Sequence, residues 1–297
     1  MMKAGFIKQS IFDSIFAKNQ AFIYIFEISC SAECSAGKKS CDNFRYGLIL
    51  NAVTELDFVA VGAHPDDVEI ACGGTLAHLA QKGYKVGIID LTDGEPTPLS
   101  PGPDVRMEEA RRAAEILGVS VRVNLNLPNR RLFDTFEHRV ALARVFRRYK
   151  PKVVVGFGGR TVMASPDHYQ AMLLTDAAVF YSRLTKWDEY FDGLPPHTIS
   201  NQLSFPIALH SLDLPESSGY LVSDIGDCLE KKLRSIACYE TQFPAGRKRV
   251  FSVIEAMNRY HGQISGFEAG EIFLTYRAVG TDDLMRWAAP AHARQTS

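Results

Sequence analysis

Three observations predict an α/β protein with a Rossmann-like, mostly parallel sheet, helices on both of its faces and a C-terminal antiparallel elaboration. From Leu56 to about Thr185, short apolar runs rich in β-branched residues alternate with longer segments that carry apolar residues at helical spacing. Two of the helical segments end at a glycine, Gly83 and Gly118, as helix C-termini do. Runs such as Val153-Val154-Val155-Gly156-Phe157 are apolar throughout, the signature of a strand buried on both faces rather than of a half-exposed one.

The elements follow in order. Asp57–Gly62 is a short strand, and Val68–Lys82 a helix with Ile70, Leu76, Leu79 and Ala80 on one side. Tyr84–Leu91 is the second strand and Asp104–Leu117 the second helix; Val119–Leu125 and Thr135–Tyr149 repeat the pair. Val153–Phe157 is the fourth strand, followed by a helix from about Pro166 to Thr185. Strands separated by helices of this length require βαβ crossovers. After Pro195 the rhythm changes: Ile199–Leu209 and Gly219–Val222 read as strands of an antiparallel excursion, Asp224–Tyr239 and Arg249–His261 as helices, and Glu271–Tyr276 as a last strand.

Composition narrows the function. The chain has 297 residues, long enough to bury a sizeable core, and its net charge of -1 gives no general attraction to nucleic acid or an anionic membrane. No apolar run approaches the roughly 18 residues of a membrane span. Of the six cysteines, Cys72, Cys228 and Cys238 are scattered, which suits a reducing, cytoplasmic setting; Cys30, Cys34 and Cys41 crowd together but lack a nearby fourth metal ligand. Residues 1–52 differ from the rest, holding six of the 18 Phe. Ala21–Phe26 imitates the apolar core of a secretory signal and Ser29-Cys30 a lipoprotein cleavage site, but Glu27 ends the run short of the roughly 7 to 15 residues such a core needs. These residues read as a non-catalytic extension, and 53–297 as the catalytic domain.

In an open parallel sheet, ligands bind outside the carboxyl ends of the strands. Four such ends carry polar groups here: Gly62-Ala63-His64-Pro65-Asp66-Asp67-Val68-Glu69, then Thr92-Asp93-Gly94-Glu95, then Asn126 to Arg130, then Gly158-Gly159-Arg160 with Ser165-Pro166-Asp167-His168. A dinucleotide site would place G-x-G-x-x-G in the first of these, whereas two carboxylates there repel phosphate. Asp66 and Glu69 have the spacing of a helix capping box, which accounts for one carboxylate. It does not account for His64 beside two Asp, or for the second Pro-Asp-His set. His64, Asp67 and His168 together make a two-His, one-carboxylate set with an open position for water, the pattern of a catalytic metal site.

Ala63 to Glu69, followed by Gly73-Gly74-Thr75-Leu76, resembles the signature of the LmbE-like, or PIG-L, zinc-dependent N-deacetylases. The resemblance continues through Leu91–Glu95, Arg106–Gly118, Asn124–Arg130, Pro166–His168 and Tyr239–Phe243, the last most similar to the bacillithiol-pathway branch. It implies a hydrolase that removes acetyl from a small N-acetylglucosamine conjugate, with one Zn²⁺ per chain on His64, Asp67 and His168 and Asp66 as general base. It also implies that Asp167 orients a ligand His, that Arg106, Asn129, Tyr239 and Gln242 contact substrate, and that the protein is a homo-oligomer. Two alternatives remain at this point: Arg106 lies on a helix rich in Arg and Glu and reads equally as part of a solvated face, and Tyr239 reads equally as a core residue. One position departs from the family, which has His-Pro-Asp-His where this chain has Ser165-Pro166-Asp167-His168. A hydroxyl is no general acid near neutral pH. Proton delivery to the leaving amine would then fall to Asp66, a water, His197 or His210; the rival readings are a different amide substrate or a metal-binding protein without activity.

Overall fold

The computed structural model describes residues 24–27, 54–207, 209, 219–278, 280 and 282. The strands are β1 Tyr24–Glu27, β2 Phe58–Gly62, β3 Val86–Thr92, β4 Val121–Leu127, β5 Val153–Phe157, β6 Asn201–Phe205, β7 Gly219–Asp224 and β8 Gly270–Thr275. The α-helices are α1 Asp67–Gln81, α2 Pro103–Leu117, α3 Phe136–Tyr149, α4 Asp167–Tyr181, α5 Leu229–Ala237 and α6 Lys248–Gln263. All the strands join one sheet in the order β1-β4-β3-β2-β5-β6-β8-β7.

The parallel core runs from β4 through β3, β2 and β5 to β6. Its strands are apolar because helices cover both faces: α1, α2 and α5 pack together on one, α3 against α4 on the other. β2, β3 and β5 contribute Val59, Ala60, Val61, Ile88, Leu91, Val154 and Val155 to a single buried core. The first two helices end where the sequence predicts, with Gly83 and Gly118 at φ 86° and 73°, whereas α4 stops at Tyr181 and not at Thr185. The Thr135 hydroxyl caps α3 by accepting from the His138 N–H at 3.3 Å.

Three expectations change. Ile199–Leu209 was expected in an antiparallel excursion, but β6 extends the parallel sheet beside β5, because the α4 crossover returns the chain in the same direction. The antiparallel part is β8, inserted between β6 and β7. The helix expected from Asp224 begins only at Leu229, since the Asp224 carboxylate accepts from the Gly226 N–H at 3.0 Å and turns the chain into a short 3₁₀ stretch, Gly226–Cys228. Finally, the segment before residue 53 is not wholly outside the fold: β1 pairs antiparallel with β4, Tyr24 opposite Asn124 and Glu27 opposite Val121. The remainder of 1–53, including Cys30, Cys34 and Cys41, lies outside the described residues.

From β2 the chain steps to β3 and β4, then returns to place β5 on the other side of β2. The crevice between the ends of β2 and β5 is therefore the topological switch point, where ligands bind in open α/β sheets. No described helix is long and apolar enough to cross a membrane.

Deletion of residues 1–50 would uncover the edge of β4, since β1 supplies its outer neighbour. The shortened chain is expected to fold and to keep its metal content, while amide exchange at residues 121–124 accelerates. Unchanged exchange there would show that β1 does not hold this edge in solution.

Candidate functional site

The turn after β2 is built from backbone strain and short hydrogen bonds. Asp66 has φ 116°, a left-handed conformation that is costly for a residue with a Cβ. Asp67 then opens α1, and its Oδ2 accepts from the His64 N–H at 2.8 Å, folding the carboxylate back over the turn. Asp66 and Glu69 do not form the capping box that their spacing allows: Asp66 makes no side-chain cap bond. Glu69 is buried instead, with Oε1 accepting from Arg122 at 2.6 Å and from the Tyr239 hydroxyl at 2.7 Å.

His64, Asp67 and His168 meet at the switch point, each offering an atom within 4.8 Å of the others. His168 Nε2 lies 3.3 Å from Asp67 Oδ1, and His64 Nδ1 3.4 Å from Asp67 Oδ2. The two distances end on different oxygens of Asp67; two imidazoles and one carboxylate are donors that zinc accepts, so the chemistry of the set fits such a cation. The opposite nitrogen of His64, Nε2, faces Asp167 Oδ2 at 3.4 Å, and that oxygen also accepts from the Arg130 N–H at 2.7 Å. A carboxylate on the far side of a ligand imidazole fixes its tautomer and ring orientation. Phe157 stacks on His168, ring centroids 4.5 Å apart, and holds the second imidazole.

Electrostatics agree with the geometry. Burial opposes a charge on His64, yet hydrogen bonds to Asp167 and Asp67 and the charges of Asp67 and Asp66 push its pKa up to about 10. Burial also works against ionised Asp67, but the charge and hydrogen bond of His168, with the bond from His64, hold it well below the ordinary carboxylate range. Asp66 moves the other way: burial and the charge of Asp67 raise it to about 7, against the pull of Arg106. Three carboxylates gathered in one crevice make a potential that a divalent cation neutralises.

The other expected site residues divide. Arg106 is not on a solvated face; it is buried, 3.1 Å from Asp66 Oδ2, and the same nitrogen donates to the Pro65 carbonyl. Among the described residues its Nε and Nη1 are buried without a hydrogen-bond partner, as is Asn129 Oδ1, while Asn129 Nδ2 donates to the Glu95 carbonyl at 2.8 Å. Gln242 donates to Thr97 Oγ1 at 2.9 Å and so steadies the loop after β3. Tyr239 is fully buried and its hydroxyl donates to Glu69, the surroundings of a core residue. The Ser165 hydroxyl accepts from the Asp167 N–H at 3.3 Å, at the entrance to α4. His197 cannot serve the site: its Nε2 bonds the Pro151 carbonyl at 2.8 Å, before β5 and at the opposite end of the sheet. His210 lies outside the described residues. Sequence reasoning missed Arg122 and Asp90 beneath the site; a charged pair inside two apolar strands was the available signal.

Residues 59–179 match the protein-family model described as PIG-L, GlcNAc-PI de-N-acetylase. A diacetylchitobiose deacetylase of Thermococcus kodakarensis is 30% identical over 228 residues, which span 72% of this chain and 80% of that protein. A conserved protein of Thermus thermophilus has a similar solved structure, with TM-score 0.65 and 32% identity over 76% of this chain and 97% of that one. The N,N'-diacetylchitobiose deacetylase of Pyrococcus horikoshii, solved with an inhibitor, aligns with TM-score 0.64 and 25% identity over 73% of this chain and 82% of that one. The enzymes named in these similarities are diacetylchitobiose deacetylases, so the bacillithiol branch expected from the motif at Tyr239 is not supported.

Two measurements check this site. Purified protein is expected to hold one divalent metal per chain; Asp67→Ala and His168→Ala should lose it, whereas Asp66→Asn should keep it, and equal loss from all three would overturn the division between the adjacent carboxylates. Tyr239→Phe removes a hydroxyl from buried Glu69 and is expected to destabilise the fold by about 1–3 kcal/mol in denaturant unfolding, with KM unchanged. A raised KM would return Tyr239 to the substrate pocket.

Proposed function

This chain belongs to the PIG-L family of de-N-acetylases, and on that premise we propose that it hydrolyses the acetamide of a small saccharide or glycoside containing N-acetylglucosamine. The observation that carries the reading is the meeting of three donors, His64, Asp67 and His168, beside a fourth group, Asp66, that is held apart from them by Arg106. Those three donors would hold a divalent metal such as zinc, which when bound would supply Lewis-acid polarisation of the acetyl carbonyl and activation of water.

The protein's own residues divide the remaining work. Asp66 takes the proton of the attacking water, and Arg106 aims that carboxylate and opposes its rise in pKa by bonding both it and the preceding carbonyl. Asp167 fixes the tautomer of His64 from behind. Arg106 and Asn129 are the residues we assign to the sugar hydroxyls, because among the described residues the Arg106 Nε and Nη1 and the Asn129 Oδ1 are buried and unpaired, a cost that a bound hydroxyl would relieve. Gln242 acts at one remove, through Thr97.

Acetate release should be measured with N-acetylglucosamine, N,N'-diacetylchitobiose and the N-acetylglucosaminyl conjugates of inositol and malate. Turnover of at least one sugar is expected, falling by about 10² to 10⁴-fold in Asp66→Asn with metal retained. If the metal-loaded protein releases acetate from none of them, a different amide substrate or a binding role replaces this reading.

Ser165 sets the second test. Its hydroxyl caps the entrance to α4 at the position where the family pattern has an imidazole, so proton return to the leaving amine falls to Asp66, to water or to His210. Since general-acid help is worth about 10² to 10⁴-fold, Ser165→His is expected to raise kcat at constant metal content. A lower kcat in that variant, with metal bound, would mean a site adapted around serine for its own substrate.

A further inference from the structure

We infer that Glu271, on the C-terminal strand β8, is a positioning residue for the metal centre: it caps a break inside α1 and so sets the direction in which the first turn of that helix presents Asp67. This inference rests on the metal-dependent reading above.

α1 is two helical pieces joined at Cys72, whose φ of -144° and ψ of 22° lie outside the helical region. A break of this kind creates a second N-terminus with its own unpaired N–H groups. Here a single carboxylate meets them: Glu271 accepts from the Gly74 N–H at 2.9 Å through Oε1 and from the Thr75 N–H at 2.6 Å through Oε2. An anion at a helix N-terminus is also favoured by the aligned peptide dipoles. Glu271 is itself fixed by Lys232 Nζ at 2.6 Å, and Lys232 by Asn258 Oδ1 at 3.0 Å. All three side chains are buried, so water does not screen these bonds. Gly74 belongs to the same arrangement: a Cβ there would come within 2.7 Å of the Ile225 side chain, so only glycine lets the second piece sit this close.

The first piece, Asp67 to Ala71, is therefore suspended between two anchors. On one side Glu69 is bound to Arg122 and Tyr239; on the other Gly74 and Thr75 are bound to Glu271. Asp67 lies in the first turn, and its direction is set by both. If the carboxylate of Glu271 is withdrawn, the second piece has no partner for its N–H groups and gains by shifting, and the first turn moves with it.

The experiment separates positioning from mere stabilisation. Replacing a buried ion pair with apolar groups of similar volume is often neutral for stability, so Glu271→Leu is combined with Lys232→Met and compared with Glu271→Gln plus Lys232→Met, which retains one acceptor oxygen. Zinc affinity is measured by competition with a chromophoric chelator, and ligand geometry by the visible absorption of the Co²⁺-loaded protein. Amide exchange of Gly74 and Thr75 is followed in the metal-free protein. The Leu variant is expected to bind zinc about 10 to 100-fold more weakly, with altered Co²⁺ bands and faster exchange, and the Gln variant to recover part of each. A folded Leu variant with wild-type zinc affinity and an unchanged Co²⁺ spectrum overturns the inference. If the Leu variant does not fold, Glu271→Asp is judged by the same criteria, because it keeps the charge beside Lys232 but is too short to reach both N–H groups. A wild-type chain that takes up no metal overturns the underlying reading, and the inference with it.

Discussion

The buried guanidinium of Arg122 is the interaction on which the site depends. It donates to both oxygens of Asp90 at 2.7 and 2.9 Å, to Glu69 at 2.6 Å and to the Ala110 carbonyl at 3.0 Å. One side chain on β4 thereby ties β3, α1 and α2 together, the elements that deliver Asp66, Asp67, Arg106 and the loop after β3. Such a cluster is a poor source of net stability, because its charges must first be desolvated. Its value lies in geometry: a planar fork with two carboxylates and a carbonyl around it admits little latitude in where α1 starts. The turn at His64 to Asp67 is held in a strained conformation by what lies under it.

Adjacent Asp66 and Asp67 show how that turn separates two chemically identical groups. The left-handed backbone at Asp66 sends successive side chains to different neighbours. Asp67 faces two imidazoles and a backbone N–H, all donors to an anion, and stays ionised. Asp66 faces Arg106 but also the charge of Asp67, and burial makes that repulsion felt. One is suited to holding a cation and the other to exchanging a proton, and the difference arises from position alone.

How much of this was legible beforehand follows from the range of each interaction. His64, Asp67 and His168 could be read because the rule for parallel sheets places chemistry at strand ends, whatever the partners. Glu69 could not: its capping-box spacing is a local pattern, and its true partners, Arg122 and Tyr239, are 53 and 170 residues away. Arg106 could be read as solvated as readily as sugar-contacting for the same reason, since its helix also carries the half-buried Arg111 and the exposed Glu115. The direction of β6 depended on which strand received it, a choice that apolar content does not encode. The break at Cys72 was hidden because the apolar spacing of α1 continues across it; the two adjacent glycines that follow were its only local trace.

Five carboxylates near this crevice illustrate why residue type alone does not assign a role. Asp67 pairs with imidazoles, Asp66 with a guanidinium, Asp167 with the back of His64, Glu69 with Arg122, and Glu271 with two helical N–H groups. In the function proposed above, each environment selects a different use of the same functional group: coordination, proton exchange, orientation of a ligand, anchorage and capping. The last two lie farthest from any substrate, yet α1 runs between them, so an error in either is passed to Asp67. A centre whose donors must stand within about 0.5 Å of their ideal places requires such support on both sides. For this reason the C-terminal strand, which contributes no donor to the cluster, belongs to the site as much as the loops that do.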